Sequence, residues 1–207
     1  MSIGSIVRSL FGPAEPAVAR AYRSFFLDVE ALAAAVAREV SPRRVLEVGA
    51  GEGQFTEALA RVFPEAELLG IDLTPRVGRL YRGRRDGVVF APRPVEQVAA
   101  ERPGAFDLVI VCDVLHHVPP AARAAFLLAC GRCVAPGGTL VLKDWERRTT
   151  PIHAMAWFSD RFITQDRIAY LTAAELREAL REAFGLAVTE ARVGPWLNNL
   201  ALFARRA

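Results

Sequence analysis

The amino-acid sequence predicts an α/β fold in which one open, largely parallel sheet carries helices on both faces. Strand-like and helix-like segments alternate five times between residues 44 and 143, which is typical of a doubly wound sheet. The run FDLVIVC at 106–112 is almost entirely apolar, as expected of a central parallel strand buried on both faces. Two apolar segments at 188–193 and 200–203, joined by GPWLNN, predict a terminal hairpin.

Each element follows from a local pattern. Apolar residues at helical spacing predict a long N-terminal helical segment over 16–40. Short apolar runs predict strands at 44–48, 68–72, 88–91, 106–112 and 139–143, separated by predicted helices at 53–63, 75–84, 95–102 and 120–134. The sequence APGG stops the last of these helices. A final helix over 172–184 starts at a capping box, because Glu175 follows Thr172 by three residues.

The chain length of 207 residues fits a single domain with a sizeable core. Residues 1–40 are expected to form a helical cap on this domain. Residues 145–170 break the alternation and mix aromatic with polar side chains, so they predict an insertion over one edge of the sheet.

Composition excludes several classes of protein. Apolar residues make up 52% of the chain, which excludes disorder, and no apolar run reaches the roughly 18 residues of a membrane span. The N-terminus lacks a secretory signal pattern, so a cytoplasmic location is expected. The net charge is +3 and the arginines are scattered, so no nucleic-acid partner is predicted. The pair Cys130 and Cys133 predicts a structural role, since no second CxxC accompanies it.

A glycine-rich loop follows the first strand, in VLEVGAGEGQF. Its glycines are Gly49, Gly51 and Gly53. A dinucleotide-binding loop would have its third glycine at position 54, where this chain has Gln54. Glu47 and Glu52 would repel a pyrophosphate but attract an ammonium or a sulfonium. The loop therefore favours a nucleoside whose other end is positively charged.

The second strand ends in GIDLTP, with Asp72 19 residues beyond Gly53. A carboxylate at this strand end can accept hydrogen bonds from both ribose hydroxyls. It could instead cap a helix that starts at Thr74 and Pro75. The glycine loop beside it favours the ribose interpretation.

Together these stretches resemble the class I S-adenosylmethionine (SAM) dependent methyltransferases, especially their small-molecule branch. The likeness covers residues 43–144, about half of the chain, and consists of VLEVGAGEG, GIDLTP, FDLVIVCDVLHHV and APGG followed by LVLKD, in order and with normal spacing. It implies a Rossmann-like sheet of seven strands in the order 3-2-1-4-5-7-6, with the seventh antiparallel. It also implies SAM as cofactor and S-adenosylhomocysteine as product.

The resemblance assigns residues to the parts of SAM. It places Glu47, Gly49, Ala50 and Gly51 around the methionine part, Asp72 on the ribose and Leu73 beside the adenine. The family often has an acidic residue for the adenine amino group where this chain has Pro94, which leaves Val95 and Glu96 as candidates for the adenine edge. Cys112 and Asp113 end the fourth strand, close to the expected position of the reactive methyl.

Candidate catalytic residues follow the fourth and fifth strands. His116 or His117 could take a proton from a hydroxyl, although one ring of such a pair often only fills the loop. Asp144 could orient an imidazole or could cap a turn. No metal is predicted. The candidate acceptor-binding residues lie in the N-terminal segment and the insertion and are Tyr22, Phe26, Trp145, His153, Trp157 and Tyr170.

The sequence therefore predicts a SAM-dependent methyltransferase that acts on a small molecule, at oxygen, by direct in-line displacement. The acceptor is expected to be aromatic or apolar, and a homodimer is a candidate assembly. An RNA or protein methyltransferase is the first alternative, but the Asn/Asp-Pro-Pro-aromatic stretch of the amino-methylating branches is absent. A SAM-fold binding protein without catalysis and a nicotinamide oxidoreductase are the others, and the intact glycines and Gln54, respectively, argue against them.

Overall fold

The fold of the chain is given by a computed structural model, which describes residues 25–158, 168–184 and 188–206. Its sheet has seven strands in the order β3-β2-β1-β4-β5-β7-β6. The strands are β1 Arg44–Val48, β2 Glu67–Asp72, β3 Val88–Pro92, β4 Phe106–Cys112, β5 Val134–Trp145, β6 Val188–Arg192 and β7 Asn199–Arg205. Neighbours among β1 to β5 are parallel, whereas β7 is antiparallel to both β5 and β6. The predicted strand order and the terminal hairpin are confirmed.

Helices cover both faces of the sheet, as predicted. They are α1 Val29–Glu39, α2 Gln54–Val62, α3 Val95–Glu101, α4 Arg123–Cys133, α5 Pro151–Phe158 and α6 Ala173–Phe184. One core packs α1 and α2 against strand residues such as Val45 and Ile110. The other core packs α3, α4 and α6 against strand residues such as Leu46 and Val111. Successive strand residues thus enter opposite cores, because side chains alternate across a strand.

The predicted helix over 75–84 is wrong, because this segment forms turns. Its backbone docks on the glycine loop: the N–H of Gly78 donates to the carbonyl of Gly51 at 2.8 Å, and the N–H of Leu80 donates to that of Glu52 at 2.9 Å. These donors are therefore not used in a helical ladder. Gly78 also has a φ of +73°, which a helix does not accommodate.

The N-terminal segment is not one continuous helix. Helix α1 begins at Val29, where Asp28 caps it by accepting a hydrogen bond from the N–H of Ala31 at 2.9 Å. Two helical residues, Phe25 and Phe26, precede this break. The part of the predicted cap before residue 25 lies outside the described residues.

Two further boundaries were predicted only in part. Strand β5 is longer than predicted, because it includes the APGG sequence and continues to Trp145. The capping box of α6 is confirmed: the N–H of Thr172 donates to Glu175 at 2.6 Å, and the N–H of Glu175 donates back to the Thr172 hydroxyl at 3.3 Å. Among the described residues, no helix is both long and apolar enough to span a bilayer.

Candidate active site

The glycine loop turns tightly between β1 and α2, at the point where the strand order reverses between β1 and β4. The N–H groups of Gly49 and Ala50 both donate to the carbonyl of Ile71, at 2.8 and 2.9 Å. Gly49 has a φ of +82°, and a Cβ on it would lie 2.1 Å from the Cγ2 atom of Val114. Only glycine fits there, because the loop runs directly beneath the segment that follows β4.

Asp72 ties this loop to the end of β2. Its Oδ2 accepts a hydrogen bond from the N–H of Gly51 at 2.9 Å, and its Oδ1 accepts one from the N–H of Thr74 at 2.8 Å. Each carboxylate oxygen keeps a further lone pair, so Asp72 can organise the loop and still receive ribose hydroxyls. The next residue, Leu73, is 79% exposed, which suits a side chain that packs on a ligand.

The two acidic residues of the loop differ in their surroundings. Glu47 is buried and accepts a hydrogen bond from the hydroxyl of Thr56 at 2.5 Å. Glu52 forms an ion pair with Arg79, with Oε1 and Nη2 2.5 Å apart. The chain itself therefore balances the charge of Glu52, and only part of the predicted attraction for a cationic ligand remains.

At the predicted adenine edge, Val95 and Glu96 form the start of α3. The side chain of Val95 is buried in the core, so Val95 can contribute to a ligand only through its backbone. As the first residue of a helix, it has an N–H group without an intrahelical acceptor. Glu96 lies in the first turn with its side chain exposed.

A buried ion pair joins the ends of β4 and β5. Asp113, the residue after β4 and Cys112, has a φ of +55°, which is unusual for a residue other than glycine. Its two carboxylate oxygens lie 2.6 and 2.7 Å from the ammonium of Lys143, which is fully buried. The role of Lys143 was not predicted, although it is the only lysine in the chain and lies in an apolar strand. A buried cation needs an acidic partner, and that rule could have identified the pair.

His116 and Asp144 form a second buried pair beside the first. The Nδ1 atom of His116 lies 2.5 Å from Oδ1 of Asp144. The N–H groups of His116 and Trp145 also donate to this carboxylate, at 3.1 and 2.7 Å. Burial by itself raises the pKa of the Asp144 carboxyl, but the charge and hydrogen bond of His116, together with Lys143, hold that pKa below its usual value. The carboxylate therefore orients the imidazole, as one of the two interpretations of Asp144 predicted.

The other predicted base, His117, is in a different environment. Its side chain is exposed, and its ring centre lies 4.1 Å from that of His116. The Asp144 carboxylate is engaged by the ring of His116, so it orients the first histidine of the pair and not the second.

Asp113, His116 and Asp144 also lie close enough together to suggest a metal site, since one ligand atom from each falls within 4.8 Å of the others. However, Lys143 occupies the carboxylate of Asp113 and adds a positive charge to the same cluster. A divalent cation would have to compete with this ammonium, so the arrangement fits two ion pairs better than a metal centre.

An aromatic cluster lies beyond the end of β5. Its members are Phe26, Trp145, Tyr170 and Trp196, packed with Ile152, Ala156 and Ile168. The ring centres of Phe26 and Trp145 are 5.8 Å apart, and Tyr170 lies 4.8 Å from the ring of His116. The cluster therefore reaches the His116–Asp144 pair.

His153 borders this cluster from α5. Its Nδ1 accepts a hydrogen bond from Nε1 of Trp145 at 3.1 Å, and its ring lies 5.1 Å from that of Tyr170. Burial and the nearby Arg147 lower the pKa of His153, so the neutral ring is favoured, as an acceptor nitrogen requires. Trp157, on the same helix, is 46% exposed, and Tyr22 lies outside the described residues.

Comparison with known proteins identifies the family. Residues 19–191 match a methyltransferase domain family. The ubiquinone biosynthesis O-methyltransferase of Xanthomonas euvesicatoria is 34% identical over 182 residues, covering 81% of this chain and 73% of that protein. The protein of the same name from Xylella fastidiosa strain M23 is 33% identical over 181 residues, covering 80% and 71%.

Solved structures share the fold. The 1,6-didemethyltoxoflavin-N1-methyltransferase of Burkholderia thailandensis, solved with S-adenosylhomocysteine, has a TM-score of 0.69 at 22% identity and covers 98% of this chain and 88% of that one. An O-methyltransferase family protein from the same organism has a TM-score of 0.70 at 19% identity and covers 97% and 59%. The chain thus belongs to the methyltransferase domain family and is a class I SAM-dependent methyltransferase.

Proposed function

We propose that this methyltransferase transfers the methyl group of SAM to a hydroxyl oxygen of a small acceptor with an aromatic or apolar ring. The observation that carries the proposal is the buried His116–Asp144 pair, which lies at the glycine-loop edge of the sheet and contacts the aromatic cluster. A carboxylate-oriented imidazole suits the removal of a proton from a hydroxyl. The names of the relatives, which are O-methyltransferases, support oxygen as the acceptor atom.

On the donor side, the carboxyl ends of β1, β2 and β4 surround the proposed cofactor site. SAM supplies a methyl group on a sulfonium, which is already an activated electrophile. The residues proposed to hold it are Glu47, Gly49, Ala50, Gly51, Asp72, Leu73, Val95, Glu96, Cys112 and Asp113. Their fit rests on the open space above Gly51, the buried carboxylate of Glu47 and the exposed side chain of Leu73.

On the acceptor side, the aromatic cluster supplies the proposed walls. Phe26, Trp145, His153 and Tyr170 contact one another beside the catalytic pair. Trp157 extends this surface along α5, the helix of the proposed insertion, and Tyr22 stays a prediction. Flat aromatic walls favour a flat or apolar acceptor.

The proposed reaction requires positioning and one proton transfer. As the acceptor oxygen bonds to the methyl carbon, the carbon–sulfur bond breaks and its electron pair stays on sulfur. The hydroxyl proton passes to His116, while Asp144 holds the ring in the tautomer that leaves Nε2 as the base and stabilises the resulting imidazolium. The ion pair of Lys143 fixes Asp113 next to the same centre.

The proposal is tested by a transfer screen with SAM labelled in the methyl group. Phenols, carboxylates, sugars and amines are offered in parallel, and the methylated product is identified by mass spectrometry. We expect transfer to hydroxyl groups of aromatic acceptors. Transfer to amines alone would contradict the assignment of oxygen, and transfer to RNA or protein would contradict the assignment of a small acceptor.

Replacing Asp72 by alanine is expected to raise the Kd for SAM about 10- to 100-fold, because ribose hydroxyls lose charge-assisted hydrogen bonds. Isothermal titration calorimetry with SAM and with S-adenosylhomocysteine measures this change. Asp107→Ala is a matched control, since Asp107 likewise accepts two backbone N–H groups, at 2.9 and 3.0 Å, but lies at the opposite end of β4. Equal SAM affinity in the two variants would reject the ribose role of Asp72.

The cytoplasmic location and the homodimer stay predictions. Light scattering of the purified protein at several concentrations measures its mass, and a monomer at all of them would reject the homodimer.

A further inference from the structure

Asn199, the first residue of β7, has a buried side-chain oxygen that lacks a hydrogen-bond partner. The residue is fully buried, and its Nδ2 donates to the carbonyl of Phe26 at 2.8 Å. Within the described part of the chain, Oδ1 has no partner. Turning the amide by 180° would place its oxygen against the Phe26 oxygen, so the Phe26 bond fixes the orientation of the amide.

An unpaired oxygen of this kind is unusual in a folded protein. Most buried side-chain polar atoms have a partner, and one without a partner needs an explanation such as a ligand. A leucine of similar size would avoid the cost of burying an unpaired acceptor. Retaining the amide is therefore advantageous if a hydrogen-bond donor reaches Oδ1 during function.

Asn199 lies on the face of the sheet that carries the acceptor side of the site. It pairs directly with Trp145 at the end of β5. Lys143, two residues earlier on β5, pairs with Cys112 at the end of β4 and shares that face. Because β5 alone separates β4 from β7, Asn199 lies about 10 Å to the side of β4, or two strand spacings. That span accommodates one substituted ring.

The contacts of Asn199 place its amide in the aromatic cluster. Beyond the Phe26 bond and the Trp145 pairing, its backbone N–H donates to the carbonyl of Trp196 at 3.0 Å. Three members of the cluster thus surround this one polar side chain. A ligand that packs on these rings can reach Oδ1 with a hydroxyl or an amine.

We propose that Asn199 is a specificity-determining residue whose Oδ1 accepts a hydrogen bond from a second donor group on the methyl acceptor. This inference rests on the proposed function and narrows its substrate class. The preferred acceptor is a small aromatic molecule with the reacting hydroxyl near the end of β4 and a further hydroxyl or amine toward β7. Analogues with a single hydroxyl leave Oδ1 unpaired and bind less well.

The test compares catechol, resorcinol and hydroquinone with phenol. In the wild-type enzyme, kcat/KM for at least one of the three diols is expected to exceed that for phenol about 10- to 100-fold. In Asn199→Leu this ratio falls to within about 3-fold, while the Kd for SAM is unchanged. Calorimetric binding of the same four compounds to the protein loaded with S-adenosylhomocysteine provides a readout that does not depend on turnover.

Asn198→Leu is the matched control. Asn198 is also buried, and its Nδ2 donates to the carbonyl of Glu146 at 3.0 Å, so its loss tests for a general effect on this segment. The control is expected to keep the diol preference.

The outcomes separate the inference from the proposed function. A wild-type enzyme that methylates or binds all four compounds alike, or an Asn199→Leu variant that keeps the preference, overturns the role of Asn199 and leaves the proposed function standing. Neither transfer to nor binding of any of the four refutes the aromatic acceptor and this inference with it. The wild-type comparison decides the matter even if Asn199→Leu does not fold.

Discussion

Replacing His116 by asparagine is expected to lower kcat about 10²- to 10⁴-fold, the contribution of a positioned general base. The asparagine amide can still donate to Oδ1 of Asp144, as Nδ1 of His116 does at 2.5 Å, so the buried carboxylate keeps a partner. What is lost is the nitrogen that accepts the hydroxyl proton. Single-turnover transfer to the best acceptor of the screen measures the chemical step directly.

Two readouts separate a catalytic base from a structural histidine. The Kd for SAM and the melting temperature of His116→Asn are expected to stay close to the wild-type values, because the Asp144 contact is preserved. The pH–rate profile of the wild type is expected to fall on the acid side as the imidazole takes up a proton, and the variant loses this acid limb.

His117→Asn is the matched control, since its ring is adjacent but exposed. We expect its rate to stay within about 3-fold of wild type and its acid limb to remain, because solvent-exposed substitutions away from the reacting atoms have small effects. A large loss in His117→Asn with little change in His116→Asn would make His117 the base. Little change in both would mean that positioning of the acceptor supplies most of the rate.

The sheet could be predicted because its signals are local. Alternation of strands and helices, the apolar run of β4 and the glycines after β1 each depend on a few neighbouring residues. The family resemblance then supplied the strand order, which the structure confirms. The capping box of α6 was equally local and equally correct.

The errors arose where distant contacts override local preference. Residues 75–84 have a helical pattern, but their backbone N–H groups bond to the glycine loop instead. The charge argument at Glu52 failed in part for the same reason, because Arg79 belongs to that docked segment. Neither contact is visible before the two segments are known to meet.

The catalytic centre shows the same division. His116 and Asp144 were predicted separately, from residue type and strand ends, but their contact spans 28 positions of the chain. The pairing of Lys143 with Asp113 spans 30 positions and was missed. In both cases the parallel pairing of β4 with β5 brings the two strand ends together, so the partners follow from topology rather than from spacing.

Gly49→Ala is expected to lower the free energy of unfolding by about 2–5 kcal/mol and the melting temperature by about 5–15 °C. Two costs combine: the φ of +82° is unfavourable for alanine, and the new Cβ would lie 2.1 Å from Cγ2 of Val114. Differential scanning calorimetry measures the stability. SAM affinity is expected to fall as well, because the loop must move away from the segment after β4 to relieve the contact.

Two companion variants separate these costs. Gly137 has a φ of +73°, but a Cβ added there would meet no atom within 4 Å, so Gly137→Ala is expected to show the backbone cost alone, about 1–2 kcal/mol. Adding Val114→Ala to Gly49→Ala removes the atoms that clash, and the double variant is expected to recover stability beyond the sum of the single changes. Equal losses in Gly49→Ala and Gly137→Ala, with no recovery in the double variant, would mean that Val114 yields without cost. The glycine loop would then not be held against the segment that carries Asp113 and His116, and the close coupling of cofactor loop and catalytic pair would be rejected.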